Sequence, residues 1–210
     1  MSRAERLAPL SAFLVTGFAA AAFIITGETP STDDSAKKVV DFYTDNKDQV
    51  FVTSALASLA GFSLVWFSSS LRAHIRRKEG EPGRVAVLPF AAGIMIAVGI
   101  TIFAGIEASE ADAVDDIPAS AMQALNALDN NMFFTLAAGS LLMFTAMAVA
   151  ILRYGVFPKW LGWVSVVLAV VSVTPAGFFA FLLSGIYYPV MGVLIYRQLG
   201  AARTGGGAAP

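Results

Sequence analysis

Val85-Ala-Val-Leu-Pro-Phe-Ala-Ala-Gly-Ile-Met-Ile-Ala-Val-Gly-Ile-Thr-Ile-Phe-Ala-Gly-Ile106 contains no Asp, Glu, Lys or Arg. At 1.5 Å per residue a helix of this length spans about 33 Å, enough to cross a hydrocarbon core of ~30 Å. Three more charge-free runs have nearly the same length: Leu7 to Gly27, Val50 to Leu71 and Asn130 to Leu152. A fifth, Trp160 to Tyr196, is too long for one crossing and contains the turn signal Thr174-Pro175-Ala176-Gly177. Split there, it supplies two spans. The sequence therefore predicts an all-α, six-helix membrane bundle in one domain over 1–200. Its spans lie near 7–27, 50–71, 85–106, 130–152, 158–174 and 177–196, and residues 201–210 form a disordered tail rich in glycine.

The composition agrees: 57% of the 210 residues are apolar, 14% are charged and the mean hydropathy is +0.69. Soluble domains carry about 25% charged residues. Arg3 and Arg6 before an apolar stretch resemble a signal peptide, but that stretch is longer than a usual signal core, so it is read as an uncleaved first span.

The segments between spans alternate in sign. With both termini inside, 11 basic and 3 acidic residues face the cytoplasm, while 3 basic and 12 acidic residues face outward, leaving +8 against −9. Lys and Arg favour the cytoplasmic side, and every loop obeys the rule. Trp66, Tyr154, Trp160, Trp163 and Tyr196 fall near the same cytoplasmic ends, where amphipathic rings favour the headgroup level. The expected location is a bacterial plasma membrane, with both termini cytoplasmic and the lipid bilayer as first partner. A near-neutral total charge points to no nucleic acid.

Several chemistries are excluded. Without cysteine there is no thiolate nucleophile or Cys-held metal. His74 is the sole histidine, so a bis-histidine haem and a His-based zinc site are out; it reads as a solvated residue of the basic connector 72–84. No lysine lies within a span to carry a retinal Schiff base, and no phosphate-binding glycine loop occurs. No catalytic constellation, cofactor or definite metal site emerges.

Three groups of residues stand out. Gly93, Ala97, Thr101 and Gly105, each four apart, make a small-residue face suited to close helix packing in lipid, as do Ala12, Thr16 and Ala20 in the first span. Gly185, Tyr187, Tyr188 and Pro189 mark a kink, because proline cannot donate to the carbonyl four residues earlier. The tyrosine hydroxyls need partners there, and that freed carbonyl is one candidate; the kink is either a cavity wall or a structural feature with the tyrosines bonded to neighbouring helices.

The third group is external. Glu107 and Glu110 sit one turn apart at the top of span 3, and Asn126, Asp129 and Asn130 share one side above span 4. Together they make a candidate polar cluster whose oxygen-rich character suits a hard cation; capping and solvation are the plainer roles. Ser31 to Asp34 is close to a capping box, followed by an amphipathic helix with Ala36, Val39, Val40 and Tyr43 on its apolar side. Asp115 or Asp116 is expected to cap a second helix, with Met122, Leu125, Leu128 and Met132 as its apolar stripe.

Leu7-Ala8-Pro9-Leu10-Ser11, Gly27-Glu28-Thr29-Pro30, Val39-Val40-Asp41-Phe42-Tyr43, Ala124-Leu125-Asn126-Ala127-Leu128-Asp129-Asn130 and Trp160-Leu161-Gly162-Trp163 carry a resemblance. The chain resembles small Ala-rich six-span membrane proteins of high-GC bacteria, grouped under domains of unknown function. The resemblance implies the fold and brings no activity. Two functions remain open. One is a non-enzymatic structural or accessory subunit, held to a membrane partner or to copies of itself. The other is a transporter or channel for a small solute or cation with an acidic external mouth. A cavity from that mouth toward Tyr187 would favour transport; a solid interior with an exposed small-residue face would favour the subunit.

Overall fold

The computed structural model describes residues 7–204, with side chains to 200, and among them it is all-α, without strands. After a short 3-10 turn (Ala8–Leu10) come α1 (Ser11–Thr26), α2 (Ala36–Asp45), α3 (Lys47–Glu79), α4 (Arg84–Ala113), α5 (Ala119–Asn131), α6 (Phe133–Tyr154), α7 (Lys159–Ser172) and α8 (Gly177–Thr204). Five stretches are long and apolar enough to cross a membrane: Ala8–Thr26, Lys47–Glu79, Arg84–Ala113, Ala119–Tyr154 and Gly177–Gly200. Helix α7, at 14 residues, rises about 21 Å and falls short of a ~30 Å core.

The apolar helices form a closed ring. α1 packs on α3, α3 on α4, α4 on α6, α6 on α7 and α7 on α8, and α8 returns to α1. Consecutive elements are neighbours, as short connections dictate. Phe67, Phe144, Met143, Met147, Tyr187 and Tyr188 fill the middle, all buried. Trp66, Trp163, Val167, Val170 and Ile186 point away from the core and are more than half exposed. Apolar exposure on this scale suits an apolar solvent.

Small residues set the closest contact, between α3 and α4. A Cβ on Gly61 would lie 3.2 Å from the Ala97 carbonyl, and one on Gly93 would lie 2.0 Å from Ser68 Oγ. The small-residue face of α4 is thus split. Gly93, Ala97 and Thr101 meet α3, whereas nothing lies within 4 Å of a Cβ on Gly105. At the kink, the freed Gly185 carbonyl takes its hydrogen bond from Thr16 Oγ1 at 2.7 Å, not from a tyrosine. Tyr187 instead shares a 2.6 Å hydrogen bond with Ser165 Oγ. The hydroxyl one helix away is better aimed than the phenols, which point into the core.

Other expectations change at the ends. The basic connector is shorter than expected because α3 continues through Glu79, and Glu79 then accepts from the amides of Val85 and Ala86 at 2.8 Å each, capping α4. His74 is buried and stacked on Phe157 (ring centroids 5.4 Å apart) rather than solvated. α8 runs to Thr204, past the expected start of the tail at 201; residues 205–210 lie outside the described residues.

Candidate functional site

The segments between α1 and α3 and between α4 and α6 fold onto one end of the ring. Ser35 caps helix α2, its hydroxyl accepting from Lys38 N; Ser31 does not cap it. Ser31 and Asp34 close a preceding turn, with Ser31 N donating to Asp34 Oδ2 at 2.8 Å. Lys38 and the Ser31 amide hold the Asp34 carboxyl below its ordinary range. Val39 and Tyr43, four apart, are buried. The amphipathic helix therefore covers the bundle and packs on α5.

Helix α5 keeps only part of its expected apolar stripe inward. No side chain caps it, and Asp115 instead pairs with Lys47 at 3.3 Å. Its buried positions are Met122, Asn126 and Asp129, while Leu128 is half exposed. Its amide side chains serve the neighbouring loop: Asn126 Nδ2 donates to Ser31 O and Asn130 Nδ2 to Pro30 O, each at 3.1 Å, and Gln123 Nε2 to Asp34 O at 3.0 Å. Loop carbonyls outside regular structure need such donors. Asparagine at two of the candidate positions thus tethers a loop.

The carboxylates behave differently. Helix α4 continues past Ile106 to Ala113, which places Glu107 and Glu110 inside the packed structure at 7% and 0% exposure, with Asp129 of α5 at 8%. Tyr43 Oη donates to Glu110 Oε2 at 2.6 Å. Burial, together with this bond, pushes the Tyr43 phenol well above its ordinary range, so it stays a donor. Glu110 Oε1 and Asp129 Oδ1 have no hydrogen-bond partner. The ion pairs among the described residues, Lys37–Asp41, Lys38–Asp34, Lys47–Asp115 and Arg76–Glu81, leave all three carboxylates without a cation. A carboxylate held out of water needs a cation or a proton to balance it. No group of three His, Cys, Asp or Glu able to hold a metal ion occurs among the described residues.

Glu107 and Asp129 open onto a cavity of about 370 Å³ inside the ring. Its walls come from α1, α3, α4, α6 and α8, with Thr53, Ala57 and five phenylalanines, Phe23, Phe103, Phe133, Phe178 and Phe181. Four of these rings contact one another: Phe133 with Phe178 and Phe181, and Phe23 with Phe178, at centroid distances of 6.3 to 6.5 Å. A second cavity of about 360 Å³ adjoins it, sharing Ala19, Phe23, Ala60, Ile100 and Phe181, and reaches Gly185 and Tyr188. Tyr187 does not line it. Ile24 and Ile186 on its rim, 76% and 67% exposed, put a side opening between α1 and α8.

Of the sequence candidates, Glu107, Asp129 and Asn130 line the upper cavity and Gly185 and Tyr188 the lower; Glu110 and Asn126 stand behind the wall. Pro189, Gly93, Ala97, Thr101 and Gly105 line neither. Sequence reading missed Tyr43 as a partner of Glu110, and it missed the phenylalanines. The phenylalanines carried no signal, since apolar spans are full of such residues. Compared with protein-family models, curated proteins and solved structures, the chain matches none of them.

Proposed function

We propose that the protein is a non-enzymatic carrier for a small solute in a bacterial plasma membrane, with six spans and both termini in the cytoplasm. The observation that carries this reading is the pair of adjoining cavities within the ring, ending outward at Glu107 and Asp129. Ligand sites favour concave, mostly apolar walls with a few polar groups, and the space between bundle helices is a common place for them. An accessory subunit has less support, because Gly93, Ala97 and Thr101 are used against α3 inside the ring. A channel also has less support. Below the cavities the ring is filled by Phe67, Leu71 and Met147, all fully buried. In this reading α7 is the short sixth crossing.

The test is thermal unfolding of the detergent-purified full chain against small solutes of each charge type. One chemical class should raise Tm saturably, and Ala57→Phe, which fills the upper cavity, should abolish that rise. A preparation that carries a second protein in fixed ratio and responds to no solute would overturn the proposal.

A further inference from the structure

We propose that the solute is a lipophilic organic cation, seated with its charge at Asp129 and Glu107 and its apolar body among the phenylalanines. The inference rests on the carrier reading and names its substrate class.

The chamber carries acidic groups without basic ones. Two carboxylates reach its lining and no Lys or Arg does. Asp129 lines the chamber, is more than nine-tenths buried and makes no ion pair among the described residues. A buried acceptor without a partner costs free energy that a ligand donor or cation can recover. A cation can replace the proton that otherwise balances these carboxylates, whereas an anion cannot, so the lining selects a cation.

The rest of the wall selects the kind of cation. A metal ion would need several oxygen ligands at ~2.0–2.6 Å, whereas the lining offers two carboxylates and a few hydroxyl and amide groups among mostly apolar side chains. Phenylalanine faces attract cations that shed water easily, and quaternary ammonium groups are recognised this way in aromatic cages. A compact, strongly hydrated ion gains little from such walls. A bulky cation with spread charge gains from both the rings and the carboxylates.

Access fits the same class. The adjoining lower cavity opens sideways between α1 and α8, where Ile24 and Ile186 are exposed. A lipophilic cation partitions into the outer part of a bilayer and can enter there, whereas a strongly hydrated solute cannot.

The experiment uses the full chain in phosphatidylcholine nanodiscs and two probes of the same shape and opposite charge, tetraphenylphosphonium and tetraphenylborate. Tetraphenylphosphonium should bind saturably and tetraphenylborate should not. Asp129→Asn and Glu107→Gln should each weaken tetraphenylphosphonium at least tenfold, and Ala57→Phe should remove binding. If Asp129→Asn is not monodisperse, Glu107→Gln alone carries the charge test.

Equal binding of the two probes would overturn the inference, since it would mean that the chamber takes apolar bulk such as a lipid chain. Folded charge variants that keep the affinity within twofold would overturn it as well. Binding of a neutral or anionic solute without tetraphenylphosphonium would overturn the cation class and leave the carrier reading standing. Failure of every solute, whatever its charge, would remove both.

Discussion

Thr16 Oγ1 donates a 2.7 Å hydrogen bond to the carbonyl of Gly185. Pro189 leaves that carbonyl without its helical donor, and Thr16 supplies one from the neighbouring helix. The bond joins α1 to α8, the two helices that close the ring and flank the side opening. Thr16→Val keeps the shape and removes the donor, and should cost about 1–2 kcal/mol. In a Pro189→Ala background the new alanine restores the backbone amide, so the same change should cost clearly less. Thermal unfolding of the four proteins of this cycle checks the coupling.

Tyr43→Phe removes the one donor seen on Glu110, whose other oxygen already lacks a partner. The expected cost is about 1–3 kcal/mol, because a buried acceptor is left unsatisfied. Adding Glu110→Met removes the acceptor too, so the double variant should be more stable than Tyr43→Phe alone. Trp66, Trp160 and Trp163 give the fluorescence signal for the melts.

Gly93→Ala and Gly105→Ala should separate two glycines of one helix face. A Cβ on Gly93 meets the Ser68 side chain, its Cβ at 2.6 Å, whereas one on Gly105 meets nothing within 4 Å. The first should destabilise by about 1–3 kcal/mol through overpacking, and Ser68→Gly should relieve it. The second should be neutral or stabilise by up to about 1 kcal/mol, since alanine costs less helical entropy. Denaturation midpoints in one detergent decide between them.

Glu79→Ala strips the cap from the first turn of α4, freeing the amides of Val85 and Ala86. Loss of about 0.5–2 kcal/mol is expected, as for other N-terminal caps. Hydrogen exchange at those two amides should speed up while the middle of α4 stays protected.

The chain has no cysteine, so single cysteines report sidedness directly. In sealed cells an impermeant maleimide should label Asp41→Cys and leave Arg77→Cys unlabelled until the membrane is opened. The reverse pattern would invert the proposed orientation.

The sequence by itself determined the class of fold. Uninterrupted apolar runs such as Val85 to Ile106 force the backbone to satisfy its own hydrogen bonds, and a helix does so within one segment. Glu107 with Glu110, and Asn126 with Asp129 and Asn130, were also legible as two polar groups, because helical spacing aligns residues three and four apart; that the groups meet was decided by the packing of α5 against α4. The tertiary structure decided which faces turn inward. On α5 the inward face carries Asn126 and Asp129, not Leu128, because carbonyls of the Ser31 loop and the end of α4 lie on that side. Tyr43 with Glu110 and Thr16 with Gly185 join residues 67 and 169 positions apart, and no local period encodes such pairs. The phenylalanine chamber belongs to the same class. Each ring sits in an ordinary apolar span, and only the closure of α8 on α1 gathers them under two buried carboxylates.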